Sequence, residues 1–149
     1  MEELEKFFTN TKMFYIATIE NNQPRVRPFG NIVFDKGCMF INTGRTKRFY
    51  QQVKENPHIE ICAFEKGTWF RVQALVEECK EKDILRRLQY GPQLQHKEKD
   101  ILKKTVELDP FVKKNYQNRM EELVILELKQ VKAYRCQFDK WNLVYEETE

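Results

Sequence analysis

Hydrophobic positions change their spacing several times along this chain, and each change marks an element. Leu4, Phe7 and Phe8 recur at helical spacing behind an acidic first turn, which the helix dipole favours, so residues 2–8 are predicted as a short helix that docks on a sheet. Met13 to Glu20, MFYIATIE, is aromatic and β-branched and runs into Asn21-Asn22-Gln23, after which PRVRPFGNIVF resumes an extended pattern: a hairpin. Pro24 and Pro28 cannot donate to a ladder, so the second strand is expected at a sheet edge, with a bend near Pro28 and Gly30. After the turn Asp35-Lys36-Gly37, Cys38 to Thr43 is almost continuously apolar, as in a strand covered on both faces.

Beyond Gly44 the period becomes helical, with Phe49 (or Tyr50) and Val53 on one face, Thr46 as the expected N-cap and Asn56-Pro57 as the stop. His58 to Glu65 then alternates Ile59, Ile61 and Ala63 against polar partners, and Lys66-Gly67 turns the chain into a further strand, TWFRVQALVEE. From Lys80 the sequence is strongly charged, and the stripe Ile84, Leu85, Leu88 opens a helical insert expected over residues 80–117, with Asp109-Pro110 starting its last helix. Leu123 to Phe138 returns to strand, and the tail from Lys140 is expected to add an edge strand or a partner contact. The pattern therefore predicts one domain over residues 1–149, mainly β with added helices, built as a six-stranded antiparallel barrel around one core.

Composition narrows the function. With 41% hydrophobic residues in 149, the chain can bury a core without staples, and no apolar run reaches the ~20 residues that a bilayer helix needs. The start, MEELEKFFTN, is acidic where a signal peptide is basic and then apolar, so the expected location is the cytoplasm, with no membrane partner. Cys38, Cys62, Cys79 and Cys136 form no C-x-x-C pair and only His58 and His96 could join them, so neither a metal site nor a disulfide framework is expected. The net charge of +3 is too small for a dedicated nucleic-acid protein, although Phe40, Phe70 and the arginines are a conceivable stacking surface. The distribution of charge matters more. Arg25, Arg27, Lys36, Arg45, Lys47 and Arg48 crowd one stretch against a single acid, Asp35, which points to an anionic ligand.

Three motifs carry the chemistry. Gly44-Arg45-Thr46-Lys47-Arg48 joins a strand to a helix start, where N–H groups, a hydroxyl and three cations suit a phosphate monoester; the plain alternative is a solvated basic loop. In Pro24-Arg25-Val26-Arg27-Pro28 the two arginines share one strand face and Val26 and Pro28 the other. Those arginines either stabilise negative charge on a planar, electron-accepting ligand or cover the barrel rim with their stems. Trp69 and Arg71, again two apart, either line a flat aromatic ligand or, for Trp69, pack in the core. No serine, cysteine or paired carboxylate stands in a triad or dyad pattern, so no catalytic residue is assigned.

The succession P-R-V-R-P, D-K-G, F-I-N-T, G-R-T-K-R, helix, N-P, W-F-R-V resembles the pyridoxamine 5'-phosphate oxidase-like FMN-binding split β-barrel superfamily, over Met13 to about Val76. Within it, the chain looks most similar to small flavoproteins grouped with 5-nitroimidazole-resistance (Nim) proteins. The resemblance implies a homodimer with FMN at the subunit interface and an oxidoreductase activity, possible nitro reduction included; the alternative is a flavin- or heme-binding carrier or sensor without turnover. It implies that Arg25, Val26, Arg27 and Pro28 lie along the ring and ribityl chain, and that Asn42 and Thr43 stand near the ribityl or phosphate end. Thr46, Lys47 and Arg48 match the phosphate clamp, and Trp69 and Arg71 the strand that approaches the flavin, in some relatives from the second subunit. The Arg-x-His substrate motif of true pyridoxamine 5'-phosphate oxidases is absent from the ending QFDKWNLVYEETE, so that oxidation is not implied.

Overall fold

A computed structural model of the chain describes residues 1–35, 37–79, 114–116 and 118–148. The order is α1 (Glu2–Asn10), β1 (Phe14–Glu20), β2 (Gln23–Phe29), β3 (Val33–Asp35), β4 (Cys38–Gly44), α2 (Arg48–Glu55), β5 (His58–Glu65), β6 (Thr68–Glu78), a 3-10 turn (Met120–Glu122), β7 (Leu123–Gln137) and β8 (Lys140–Glu146). The expected insert over residues 80–117 lies outside the described residues except for a helical turn at Lys114–Tyr116, and Lys36 lies outside them too.

The architecture is the split β-barrel, with eight strands among the described residues where six were expected. They run in the order β2-β1-β5-β6-β7-β4-β3, with β8 also paired to β7, and every pairing is antiparallel. One extra strand arises because PRVRPFGNIVF does not merely bend: Gly30 to Ile32 leaves the ladder and separates β2 from β3. The other is the tail, which adds β8 as an edge strand.

Local chemistry accounts for the hairpins. Asn21 and Asn22 both take positive φ, 49° and 60°, and Lys66 and Gly67 do the same at 49° and 80°, the twist that two-residue antiparallel turns require. Among the described strands β2 meets only β1, so Pro24 and Pro28 stand on an edge strand as expected. β7 is the longest strand. Where Gln73 faces Lys132 and Leu75 faces Lys129, β7 holds one residue more than β6, and Gln130 there has φ 51°, a bulge that turns the strand. Its first half thus pairs with β4 and its second half with β8, while β6 runs beside both.

The sheet wraps one cluster that includes Ile16, Ile41, Ile61, Val72, Leu126, Leu128 and Ala133. Phe40 faces the other way, into a small second cluster with Val33 and Ile125, so β4 is covered on both faces as its unbroken apolar run predicted. α1 closes the barrel with Leu4 and Phe8, the Phe8 ring meeting Phe14 edge-on at 5.6 Å and Phe7 lying 4.4 Å from Phe70. Among the described residues no helix is long and apolar enough to cross a membrane. Because Phe8 is 3% exposed, Phe8→Ala should lower the unfolding free energy by about 3 to 5 kcal/mol, read as a lower urea midpoint at unchanged slope.

Candidate functional site

A cavity of about 410 Å³ opens where the end of β2, the break after it, the end of β4 and the start of α2 meet. Arg27, Pro28 and Phe29 form one wall, Asn42, Thr43 and Gly44 another, and Lys47, Arg48 and Phe49 a third, with Gly30, Asn31 and Tyr116 completing it. Gly44 packs against Tyr116: a Cβ at that position would come within 2.5 Å of the Tyr116 hydroxyl oxygen, so the ring would have to shift to admit one. Burial raises the Tyr116 phenol above its ordinary range, which keeps it a neutral donor.

The cations of this region are sorted by two carboxylates. Glu20, at the hairpin end of β1, accepts from Arg25 Nε at 2.9 Å, from Arg48 Nη2 at 2.9 Å and from Gln52 Nε2 at 3.1 Å. The Gln52 hydrogen bond first, then Arg48 and Arg25, hold its carboxyl below the usual carboxylate range against the opposing effect of burial. Glu78 takes Arg45 at 3.0 Å and the Tyr50 hydroxyl at 2.6 Å, while Arg45 also donates to the Tyr50 oxygen at 2.9 Å. Burial and Glu78 together push the Tyr50 phenol up. Arg27 is tied differently, to neutral partners: Nη2 donates to Gln52 Oε1 at 2.6 Å and Nη1 to Thr18 Oγ1 at 2.7 Å. Its guanidinium lies 5.2 Å from the centre of the Phe49 ring, and burial lowers its pKa while Glu20 counters that. Among the described cations of this stretch, Arg27 and Lys47 have no ion pair within the described residues, and Lys47 has no side-chain hydrogen bond there either.

Two further features leave donors open. α2 has Lys47, not Thr46, at its N-cap, and no side chain among the described residues caps it, which leaves first-turn N–H groups open to an acceptor from outside the helix. The expected Thr46 cap fails because the helix begins two residues beyond it. In the cavity wall, Asn31 Nδ2 is buried and has no hydrogen-bond partner among the described residues. An unpaired buried donor is costly in a folded protein, so these atoms suit an anionic or oxygen-rich ligand.

Of the site residues expected from sequence, Arg27, Pro28, Asn42, Thr43, Lys47 and Arg48 line this one cavity. Arg25 shares the inward face of β2 but is engaged by Glu20, Thr46 is exposed beside the cavity, and Val26 points outward at 64% exposure. Trp69 and Arg71 lie neither in the core nor in the cavity. They face outward from β6, where Arg71 pairs with Glu60 at 2.6 Å and stacks on Trp141 at 4.6 Å, its Nε buried without a partner among the described residues. The sequence reading missed Phe29, Gly30, Asn31, Phe49 and Tyr116 as cavity residues, and Gln52 behind them. Gln52 was detectable: it stands three residues after Phe49 and one before Val53, a polar residue on an apolar helix face. Tyr116 comes from the far side of the insert and leaves no local signal.

Comparison with known proteins bears on the family and the fold. Residues 1–117 match the family model described as Pyridoxamine 5'-phosphate oxidase, whereas no curated protein matches the sequence. Among solved structures, a NimC/NimA family protein from Clostridium acetobutylicum aligns with TM-score 0.75 and 27% identity, over 96% of this chain and 91% of that one. The heme storage protein HutZ from Vibrio cholerae aligns with TM-score 0.61 at 13% identity, covering 85% of this chain and 87% of its own, which shows the fold. A FAD-binding protein from Mesorhizobium loti does so with TM-score 0.52 at 14% identity, covering 91% and 94%. With its match spanning most of the sequence and its split barrel in place, the chain belongs to the pyridoxamine 5'-phosphate oxidase family.

Proposed function

We propose that this protein is a cytoplasmic FMN-binding flavoprotein, an oxidoreductase that works as a homodimer. The observation that carries the reading is the division of the cavity. One side offers the free cation Lys47, the uncapped start of α2 and the Asn31 amide; the other offers Pro28, Phe29 and Phe49 with Arg27 held beside them. A phosphate suits the first set, since it needs cation and N–H donors together, and a flat electron-poor ring suits the second. FMN has both ends. When bound, flavin supplies one- or two-electron transfer, and the protein orients it and sets its electrostatics. Arg27 would stabilise negative charge on the reduced ring, Asn42 and Thr43 would meet the ribityl oxygens, and no side chain is required as acid or base.

The second subunit is argued from the outer sheet face. Tyr15, Cys62, Arg71, Tyr134 and Leu143 stand opposite one another across β1, β5, β6, β7 and β8, a row of one face that crosses five strands. Beside it lie Ile19, Val26, Phe64 and Trp141, and of this face Val26 and Phe64 are each 64% exposed. Scattered apolar residues are ordinary on a surface, but a continuous patch of this kind marks a protein interface. In such a dimer Trp69 and Arg71, which face outward from β6, would reach the partner's ligand and not their own.

A carrier of flavin or heme without turnover is the second reading, favoured by the lack of an assigned acid or base and by the likeness to HutZ. For heme the cavity is poorly supplied. Of the axial-ligand residue types, the described lining contains only Tyr116.

The direct test is titration of the flavin-free protein with FMN and riboflavin, followed by flavin fluorescence. Lys47→Ala with Arg48→Ala should weaken FMN by at least tenfold, since each lost charge-assisted bond is worth about 1.5 to 3 kcal/mol, and should leave riboflavin unchanged. Equal FMN affinity in the double variant would contradict the phosphate assignment. For the dimer, Phe64→Glu with Leu143→Glu should yield monomers by sedimentation and release flavin in parallel; retention of flavin by those monomers would refute a shared site.

A further inference from the structure

We propose that Gln52 is the positioning residue of this site: its amide, oriented by Glu20, fixes the Arg27 guanidinium against Phe49 before any ligand arrives. The inference rests on the flavin reading for its consequence, but its geometry stands on the chain alone.

The orientation follows from chemistry. A carboxylate only accepts and a guanidinium only donates, so an amide between them has one satisfactory setting: NH₂ toward Glu20, oxygen toward Arg27. Gln52 Nε2 donates to Glu20 Oε1 at 3.1 Å, and Gln52 Oε1 receives both Arg27 Nη2 at 2.6 Å and Thr18 Oγ1 at 2.7 Å. Because the Thr18 hydroxyl spends its proton on Gln52, its oxygen is left to accept Arg27 Nη1, also at 2.7 Å. The Ile16 carbonyl takes Nη1 as well, at 3.3 Å. Every link thus has a single direction, from Arg27 and Thr18 through the amide to Glu20.

Burial makes the relay rigid. Gln52 is 4% exposed and Thr18 2%, so neither can turn to water for a replacement partner. The other two arginines bound at this end, Arg25 and Arg48, are held by Glu20 at exposed positions and are free to rearrange, whereas Arg27 is not. Gln52 itself does not line the cavity; it acts on the ligand only through Arg27, and its effect falls on the part of the ligand that Arg27 meets, not on the phosphate.

The test compares the wild type with Gln52→Met, which keeps side-chain length and removes both hydrogen-bonding functions. In flavin-free wild type the Arg27 Nη protons should give separate, slowly exchanging NMR signals, and in Gln52→Met one averaged envelope. FMN and riboflavin affinities should fall together, by about tenfold, as expected for loss of hydrogen bonds to a charged group. Glu20→Ala, which removes the acceptor at a hairpin end outside the core cluster, should move the same readouts in the same direction and serves if Gln52→Met disturbs folding. Unchanged Arg27 signals in both variants, or a loss confined to FMN, would overturn the assignment. If the wild type takes up no flavin, the cofactor reading fails, and the Arg27 signals by themselves decide the role of Gln52.

Discussion

The seating of α2 on the barrel is the contact on which the site depends. Phe49 and Val53 sink into the main core from this helix, and Gln52 goes down between them carrying polar atoms. That docking brings the helix start, with Lys47 and Arg48, to the ends of β2 and β4, and it sets Phe49 under Arg27. Burying Phe49 and Val53 contributes roughly 1.5 to 3 kcal/mol each, enough to carry the cost of placing a glutamine in the interior once that glutamine is fully hydrogen-bonded. A helix shifted by one residue would lose the core contacts and the amide relay together.

Concentrating cations at one joint creates repulsion that the fold must offset without giving up the positive charge. Glu20 and Glu78 do this by collecting Arg25, Arg48 and Arg45. Such exposed pairs contribute only about 0 to 1 kcal/mol, so they steady the joint without locking it. Arg27 is held by buried neutral groups instead, which keep its charge while fixing its place. The result is a graded site, with one rigid cation, one free cation and the remainder loosely paired.

Much of the fold was legible because its signals are local. The two-residue turns at Asn21-Asn22 and Lys66-Gly67, the Asn56-Pro57 stop and the alternation of Ile59, Ile61 and Ala63 each specify an element by themselves. What the local pattern left open was of another kind. Strand parity correctly put Trp69 and Arg71 on one face, but parity does not say which face looks inward, and here it is the outer one. Gly30 to Ile32 read as a bend became a break, because the strand after it pairs with β4 alone. Six of the eleven expected site residues line the cavity, whereas Asn31 and Tyr116 depend on how distant segments converge, which no local pattern encodes.

The most direct measurement is the visible absorption spectrum of the freshly purified protein, followed by denaturation and identification of the molecule released. The account predicts the paired flavin bands and FMN released at about one per chain, as a site with one phosphate end and one ring end requires. A colourless protein that also takes up no added FMN would contradict it, leaving the barrel and the Arg27 relay without the cofactor assigned to them.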